Sequence, residues 1–370
     1  MEGEKKNQRA EKKSANVLLV GALPPPVHGM SMINREMSLR LQEVTCVFEI
    51  NIAPVGRFFL SRIVFRFLSV IKGAVWSIFS DEKWDVLYIG LSGGWGQIYE
   101  IIFVLIARIY RKKIYVHHHS FAYINKKKIY FWLLSYLAGP ECTHITLSKG
   151  MSYMILSKYP RIKKDYTLSN VAFIDFSPTE TKRTHNKINI GFLSNISFEK
   201  GIRIFFETLE VLRNEGIAFE AIIAGPIEDR VVQKYVIEKV GQENETSYIG
   251  PVYGKGKIEL LERIDVLFFP TLYENEAEPL TIYECHSYGV PVISLKRGCI
   301  SEMMEDQKNL CVSESGHFPL VANRLLSEWM DRPEKLRDMS LRCKEVFHIK
   351  KAESEKHLKH IISSIAQLKT

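Results

Sequence analysis

The sequence predicts an α/β protein: two doubly wound, Rossmann-like parallel-sheet domains facing each other across a cleft. Three observations predict it. A chain of 370 residues is too long for one ordinary core and suits two. Short apolar runs, each followed by a loop and a helical period, recur through both halves, the pattern of strand–helix–strand units. A polar stretch, Ser177 to Lys187 (SPTETKRTHNK), separates the two series and reads as a linker. The expected division is a charged, disordered tail over 1–14, a first domain over 15–180, a second over 181–348, and a last helix over 349–370.

Each element has its own signal. Asn16 to Val20, ending in Gly21, reads as a buried parallel strand. The loop ALPPPVHGMS and a helix from Met32 to Gln42 follow, a β–loop–α opening. Further strands are expected at Asp85 to Ile89, Lys113 to Val116 and Thr143 to Leu147, with helices at Ile98 to Tyr110 and Ile129 to Leu137. The second series has strands at Ile188 to Leu193, Ala218 to Ala224, Ser247 to Ile249, Val266 to Phe269 and Pro291 to Ser294. Ala352 to Leu368 reads as the final helix. In such sheets ligands bind at the carboxyl ends of the strands.

Composition narrows the function. The six cysteines form no C-x-x-C pair and read as reduced thiols of a cytosolic protein, without a zinc site. The start, MEGEKKNQRAEKKS, is charged and does not read as a signal peptide. No stretch reaches the ~20 uncharged apolar residues of a membrane span. Net charge is +12 over residues 1–184 and −4 over 185–370. A basic first half suits an anionic partner. No nucleic-acid motif accompanies the charge, so nucleic acid is set aside for a membrane surface. Phe58 to Phe79 is apolar with Arg62 and Arg66 on one helical face, the form of a cationic interfacial helix. Arg111-Lys112-Lys113 and Lys126-Lys127-Lys128 add basic clusters. The plainer reading of that helix is a cover for the sheet.

The richest stretch is Phe269 to Val292, FPTLYENEAEPLTIYECHSYGVPV. A strand ends at Pro270, a loop follows, and a helix starts near Pro279, whose missing N–H has no partner in a first turn. Helix-start N–H groups attract phosphate. Glu276 on the loop and Glu284 in the helix, with seven residues between them, can point into one pocket. Carboxylates accept hydrogen bonds that sugar hydroxyls donate. Phosphate on Pro279, Leu280 and Thr281 with hydroxyls on the two Glu describes a sugar nucleotide.

This pattern resembles the E-x7-E signature of family 4 glycosyltransferases, retaining and metal-independent enzymes of the GT-B fold, and Gly289-Val290-Pro291-Val292-Ile293 agrees with it. The resemblance runs from Asn16 to about Val346. It implies a donor site and no cofactor or metal. Where the family has G-R-L-x-x-x-K-G, this chain has Ser194 to Gly201: Lys200 matches the Lys, while Asn195 replaces the Arg and removes one cation from the diphosphate. Lys255 or Lys257 is a substitute. Pro24 to Ser31 resembles the family's first glycine loop, with Gly29 permitting close approach to the donor. His117-His118-His119-Ser120 stands where the family often carries a His. Alternation puts His117 and His119 on one face. Asn170-Val171 and Ala224-Gly225-Pro226 resemble landmarks, and Gly250-Pro251-Val252 lies beside the base.

By resemblance, Glu276, His119 and Lys200 carry catalysis. Glu284, Asn195, Lys200, Gly29, Pro279, Leu280, Thr281, Gly250 and Val252 bind the donor. His28, His117, His118 and Ser120 belong to the acceptor side. The implied activity is transfer of a sugar from a UDP- or GDP-sugar to a hydroxyl of a lipid-linked or saccharide acceptor in O-antigen, capsule or lipopolysaccharide assembly. The implied place is cytoplasmic, peripheral on an anionic membrane face, and the last helix crosses back to the first domain. A GT-B sugar-nucleotide 2-epimerase and a non-catalytic nucleotide-sugar-binding protein are the alternatives.

Overall fold

The computed structural model describes residues 14–54, 59–175, 187–304 and 310–367. The expected linker 177–187 and tail 1–14 therefore fall almost wholly outside the described residues. Ser14 does not: it bridges to Gln367, and Ala15 N–H donates to the Ala366 carbonyl at 2.9 Å.

The first domain runs β1 (Val17–Gly21), α1 (Gly29–Gln42), β2 (Val47–Asn51), α2 (Phe59–Phe79), β3 (Val86–Leu91), α3 (Gln97–Ile109), β4 (Lys113–His118), α4 (Ala122–Asn125), α5 (Ile129–Ala138), β5 (Thr143–Thr146), α6 (Lys149–Lys158) and β6 (Lys164–Thr167). Its six strands are all parallel in the order β2-β1-β3-β4-β5-β6. The order reverses between β1 and β3, which opens a crevice at their carboxyl ends.

The second domain runs β7 (Ile188–Leu193), α7 (Ile202–Asn214), β8 (Phe219–Ala224), α8 (Arg230–Gly241), β9 (Thr246–Tyr248), α9 (Gly254–Arg263), β10 (Val266–Phe269), α10 (Leu280–Ser287), β11 (Val292–Leu295), α11 (Ile300–Met303), β12 (Cys311–Val312), α12 (Phe318–Asp331) and α13 (Pro333–Ala366). Its parallel order β12-β11-β10-β7-β8-β9 is that of dinucleotide-binding sheets, and the switch falls between β7 and β10. The loops that follow those two strands carry Lys200 and Glu276.

The structure changes several expectations. Helix α1 starts at Gly29, because His28 caps it: the ring Nδ1 accepts from Ser31 N–H at 3.2 Å and Ser31 Oγ accepts from His28 N–H at 3.0 Å. Strand β4 continues to His118 by pairing with Leu91. Strands β2, β6 and β12 carry no strong apolar run and went unread; β2 is an edge strand with only Ile50 buried. The final helix is one 34-residue α13, so the expected boundary at 348/349 lies inside it. Its buried residues change partner along its length. Phe347 packs in the second domain's core, whereas Leu358, Ile361 and Ile365 pack with Val17, Leu19 and Met37 in the first. Tyr115 Oη donates to the Ser364 carbonyl at 3.1 Å. The last part of the helix therefore packs on the first domain.

Helix α2 is unlike an ordinary sheet cover. Val64, Phe67, Ile71, Val75 and Phe79 are exposed. Arg66, however, does not share an outer face with Arg62. Its guanidinium lies over the Tyr99 ring, 4.9 Å from the centroid, beside Glu100. No helix among the described residues is long and apolar enough to cross a membrane.

Candidate active site

Backbone contacts bring the two switch-point loops of the second domain together. Leu272 N–H donates to the Glu199 carbonyl at 2.8 Å. Next to it Gly201 has φ +85°, and a Cβ there would stand 1.9 Å from the Pro270 carbonyl oxygen. Only glycine tolerates both the left-handed backbone and that approach. Lys200 is thereby aimed at Glu276: Nζ lies 2.5 Å from Oε2, and 4.9 Å from the Tyr273 ring centroid. Thr271 Oγ1 donates to the same carboxylate oxygen at 3.1 Å. Gly298 closes the loop from behind, where a Cβ would come within 2.1 Å of the Glu276 carbonyl oxygen.

Glu284 forms the second pair. Its Oε1 lies 2.6 Å from Lys257 Nζ of α9, and its Oε2 is enclosed without a hydrogen-bond partner. Of the two lysines named as substitutes for the missing Arg, Lys257 is thus beside the site. Lys255 is solvated and pairs with Glu259 on its own helix. Asn195 is exposed at the end of β7. Pro279 is the N-cap residue of α10 rather than part of its first turn, and no side chain caps the helix, which leaves its first N–H groups for an anion. Leu280 and Thr281 form that turn. Gly250, with φ +79° and open space around it, and half-buried Val252 lie after β9.

Across the cleft the side chains are neutral. His117 and His119 share one face, with ring centroids 4.2 Å apart. His117 Nδ1 bonds Tyr88 Oη at 2.6 Å. Burial holds His117 well below its ordinary pKa, and burial with His28 nearby holds His119 down at about 3. The Nε2 atoms of both rings are enclosed and unpartnered, and His28 is lowered by burial. His118 is a correction to the acceptor-side set. Strand alternation turns it to the opposite face, where Nε2 bonds His144 Nδ1 and Nδ1 bonds Tyr123 Oη, both at 2.9 Å. Ser120 accepts from Ala122 N–H at 3.2 Å and lies against Gly93 of the β3 loop. Among the described residues no group of three His, Cys, Asp or Glu could hold a metal ion.

One residue went unread. Glu278, buried two residues after Glu276, accepts from Asn170 N–H at 2.6 Å, Ser169 Oγ at 2.7 Å and Tyr283 Oη at 2.8 Å. Burial pushes its carboxyl up to about 7. It ties the Glu276 loop to Asn170, where the chain leaves the first domain. Glu276 and Glu278 are both buried, and no local pattern in ENEAE marks Glu278 as the one tied to the first domain's end. The domains also touch at Glu302, which accepts from Ser148 Oγ at 2.6 Å and Gly150 N–H at 3.1 Å at the start of α6.

Residues 174–345 match the model of the family described as glycosyl transferases group 1. The second domain belongs to that family. A relative from Escherichia coli, WcaL, named as an inferred colanic acid biosynthesis glycosyltransferase, is 25% identical over 172 residues. That match covers 45% of this chain and 42% of the relative's length. Among solved structures, Anabaena Alr3699/HepE in complex with UDP and glucose has a TM-score of 0.70 at 15% identity, covering 95% of this chain and 100% of that one. The lipopolysaccharide outer core galactosyltransferase WaaB has a TM-score of 0.59 at 14% identity, covering 94% and 99%. A glycosyltransferase from Rickettsia africae gives 0.66 at 13%, covering 95% and 98%. Such identities carry the fold: two parallel six-stranded domains of the GT-B kind, the second of them a group 1 glycosyltransferase domain.

Proposed function

We propose that the chain is a retaining, metal-independent glycosyltransferase using a nucleoside diphosphate sugar, with UDP favoured over GDP. It transfers the sugar to a hydroxyl of a lipid-linked or saccharide acceptor in surface-polysaccharide assembly. One observation carries the reading most: two carboxylates, each set against a lysine from another element, stand at the switch point of a dinucleotide-type sheet. The UDP complexes of Alr3699/HepE and the colanic acid role in the name of WcaL support the donor and the setting.

In this reading the diphosphate lies against Lys200, Lys257 and the open start of α10, which stabilise its charge as it leaves. Donor binding draws Lys200 toward phosphate and frees Glu276 for sugar hydroxyls. Glu284 holds the ribose hydroxyls, and its unpartnered oxygen suits that task. Gly250 and Val252 border the base. The acceptor hydroxyl attacks from the face the diphosphate leaves, so no enzymic nucleophile is needed, unlike paired-carboxylate glycosidases. Neutral His119 positions sugar or acceptor. The exposed apolar side chains of α2, with Arg62 and Lys72 among them, dock the first domain on an anionic leaflet from the cytoplasmic side.

The test is a metal-free thermal-shift panel of UDP, GDP, ADP and their sugar conjugates. Stabilisation by UDP, increased by one sugar, is the expected result. No shift from any nucleotide at millimolar concentration would remove the donor site.

A further inference from the structure

A cavity of about 260 Å³ opens where the two domains meet. Its walls come from the loop after β3, the segment joining α4 to α5, and the loop that carries Glu276. Three chemistries converge on it. Lys126 and Lys128 supply cations. Trp95 and Tyr130 supply an aromatic pair with centroids 4.9 Å apart, and Trp95 is 71% exposed. Glu274 and Asn275 of the second domain close the far wall: Asn125 Nδ2 donates to the Glu274 carbonyl at 2.5 Å and Phe121 N–H to the Asn275 carbonyl at 3.3 Å. Gly93 of this wall abuts Ser120, the neighbour of His119, and Asn275 precedes Glu276.

The cavity also meets an unusual surface. On α3, Ile98, Ile102, Leu105 and Ile109 repeat at helical spacing and all are exposed. On the adjoining α5, Ile129, Leu133 and Tyr136 do the same. An amphipathic helix on a sheet ordinarily turns such a stripe inward; here α3 and α5 each expose one, and each helix starts beside a member of the aromatic pair. Lys126 has one partner, Glu274 at 3.8 Å, with both side chains mostly in solvent, and among the described residues the Lys128 ammonium faces no carboxylate.

We infer that this cavity is the entry site for an amphiphilic acceptor whose hydroxyl-bearing head joins an aliphatic chain through a phosphate or diphosphate. The anion sits on Lys126 and Lys128. The chain lies across Trp95 and Tyr130 and continues over α3 and α5 into the bilayer. The head passes Gly93 toward His119 and Glu276. The inference rests on the glycosyltransferase reading and narrows its acceptor to a lipid-linked one.

The experiment titrates farnesyl diphosphate into the full chain saturated with UDP, following tryptophan fluorescence, with farnesol and inorganic pyrophosphate as comparisons. Farnesyl diphosphate should bind more tightly than either. The K126A/K128A double variant and the W95A variant should each weaken it about tenfold or more while leaving the UDP thermal shift unchanged. Wild-type affinity in either variant, or farnesol binding as well as its diphosphate, would overturn the site. Loss of farnesyl diphosphate binding with an intact UDP shift counts against the variant residues' role as donor ligands and for the acceptor site; a wild-type chain that shifts with UDP but ignores farnesyl diphosphate refutes this inference alone. Absence of the UDP shift in the wild-type chain refutes the donor reading instead.

Discussion

The two walls of the cleft are built by opposite means. The second domain presents charge: Lys200 on Glu276 at 2.5 Å and Lys257 on Glu284 at 2.6 Å. The first presents uncharged rings, His28, His117 and His119, all lowered by burial. A charged wall suits a ligand that arrives with its own charge and exchanges one ion pair for another. A neutral wall suits a hydroxyl, which must lose a proton without being held by a fixed cation.

The largest expected effect is on turnover. Glu276→Ala and Lys200→Ala should each slow UDP release from the donor by roughly a hundredfold, the scale of a lost transition-state contact. Near-wild-type initial rates in both would break the assignment of chemistry to the charged wall.

Acid should separate the walls next. His117, His118, His119 and His144 all have folded pKa values below the ordinary 6.5. The unfolded chain takes up protons there that the fold refuses, so stability falls as pH drops below 6.5. Glu100 in the same domain opposes this, because its pKa of about 7 lets the fold keep a proton between 4.5 and 7 that the unfolded chain releases. In the second domain one ring, His286 at about 3, stands against one such carboxyl, Glu278 at about 7. Hydrogen exchange between pH 7 and 5 should therefore show the first domain loosening before the second. Equal loosening would remove the contrast.

Glu278→Ala should cost about 2 kcal/mol in urea unfolding, since three donors, two of them buried, lose their acceptor. The smallest pair sharpens the missing Arg. Lys257→Ala should weaken UDP binding by about tenfold, and Lys255→Ala should leave it unchanged. Equal effects would mean that neither lysine replaces the cation lost at Asn195.

The same contrast explains what could be read from the sequence. In the second domain β7, β8, β10 and β11 were legible because each is a short apolar run buried along nearly its whole length, and the site because Glu276, Glu284 and Lys200 sit at fixed offsets from strand ends. Glu278 was illegible: its burial depends on Asn170, 108 residues away. The histidine face followed from strand alternation, but the depth of the rings did not. Trp95, on the loop after β3, and Tyr130, in the first turn of α5, lie 35 residues apart, and nothing local announces that they meet. Helix α13 reads as a helix only in its last half, because its first half packs on one domain and its second on the other.

That long helix fixes how the two domains can move. It packs against the short turn Asn170–Phe173, where the chain departs from the first domain, and Lys351 Nζ donates to the Ile174 carbonyl there. Two pins set side by side define a single axle. Contacts placed side by side resist twist and slide more than opening, so a change in the angle of gape is the expected rearrangement on loading the cleft. A single pair of distance labels across the mouth is enough to follow it.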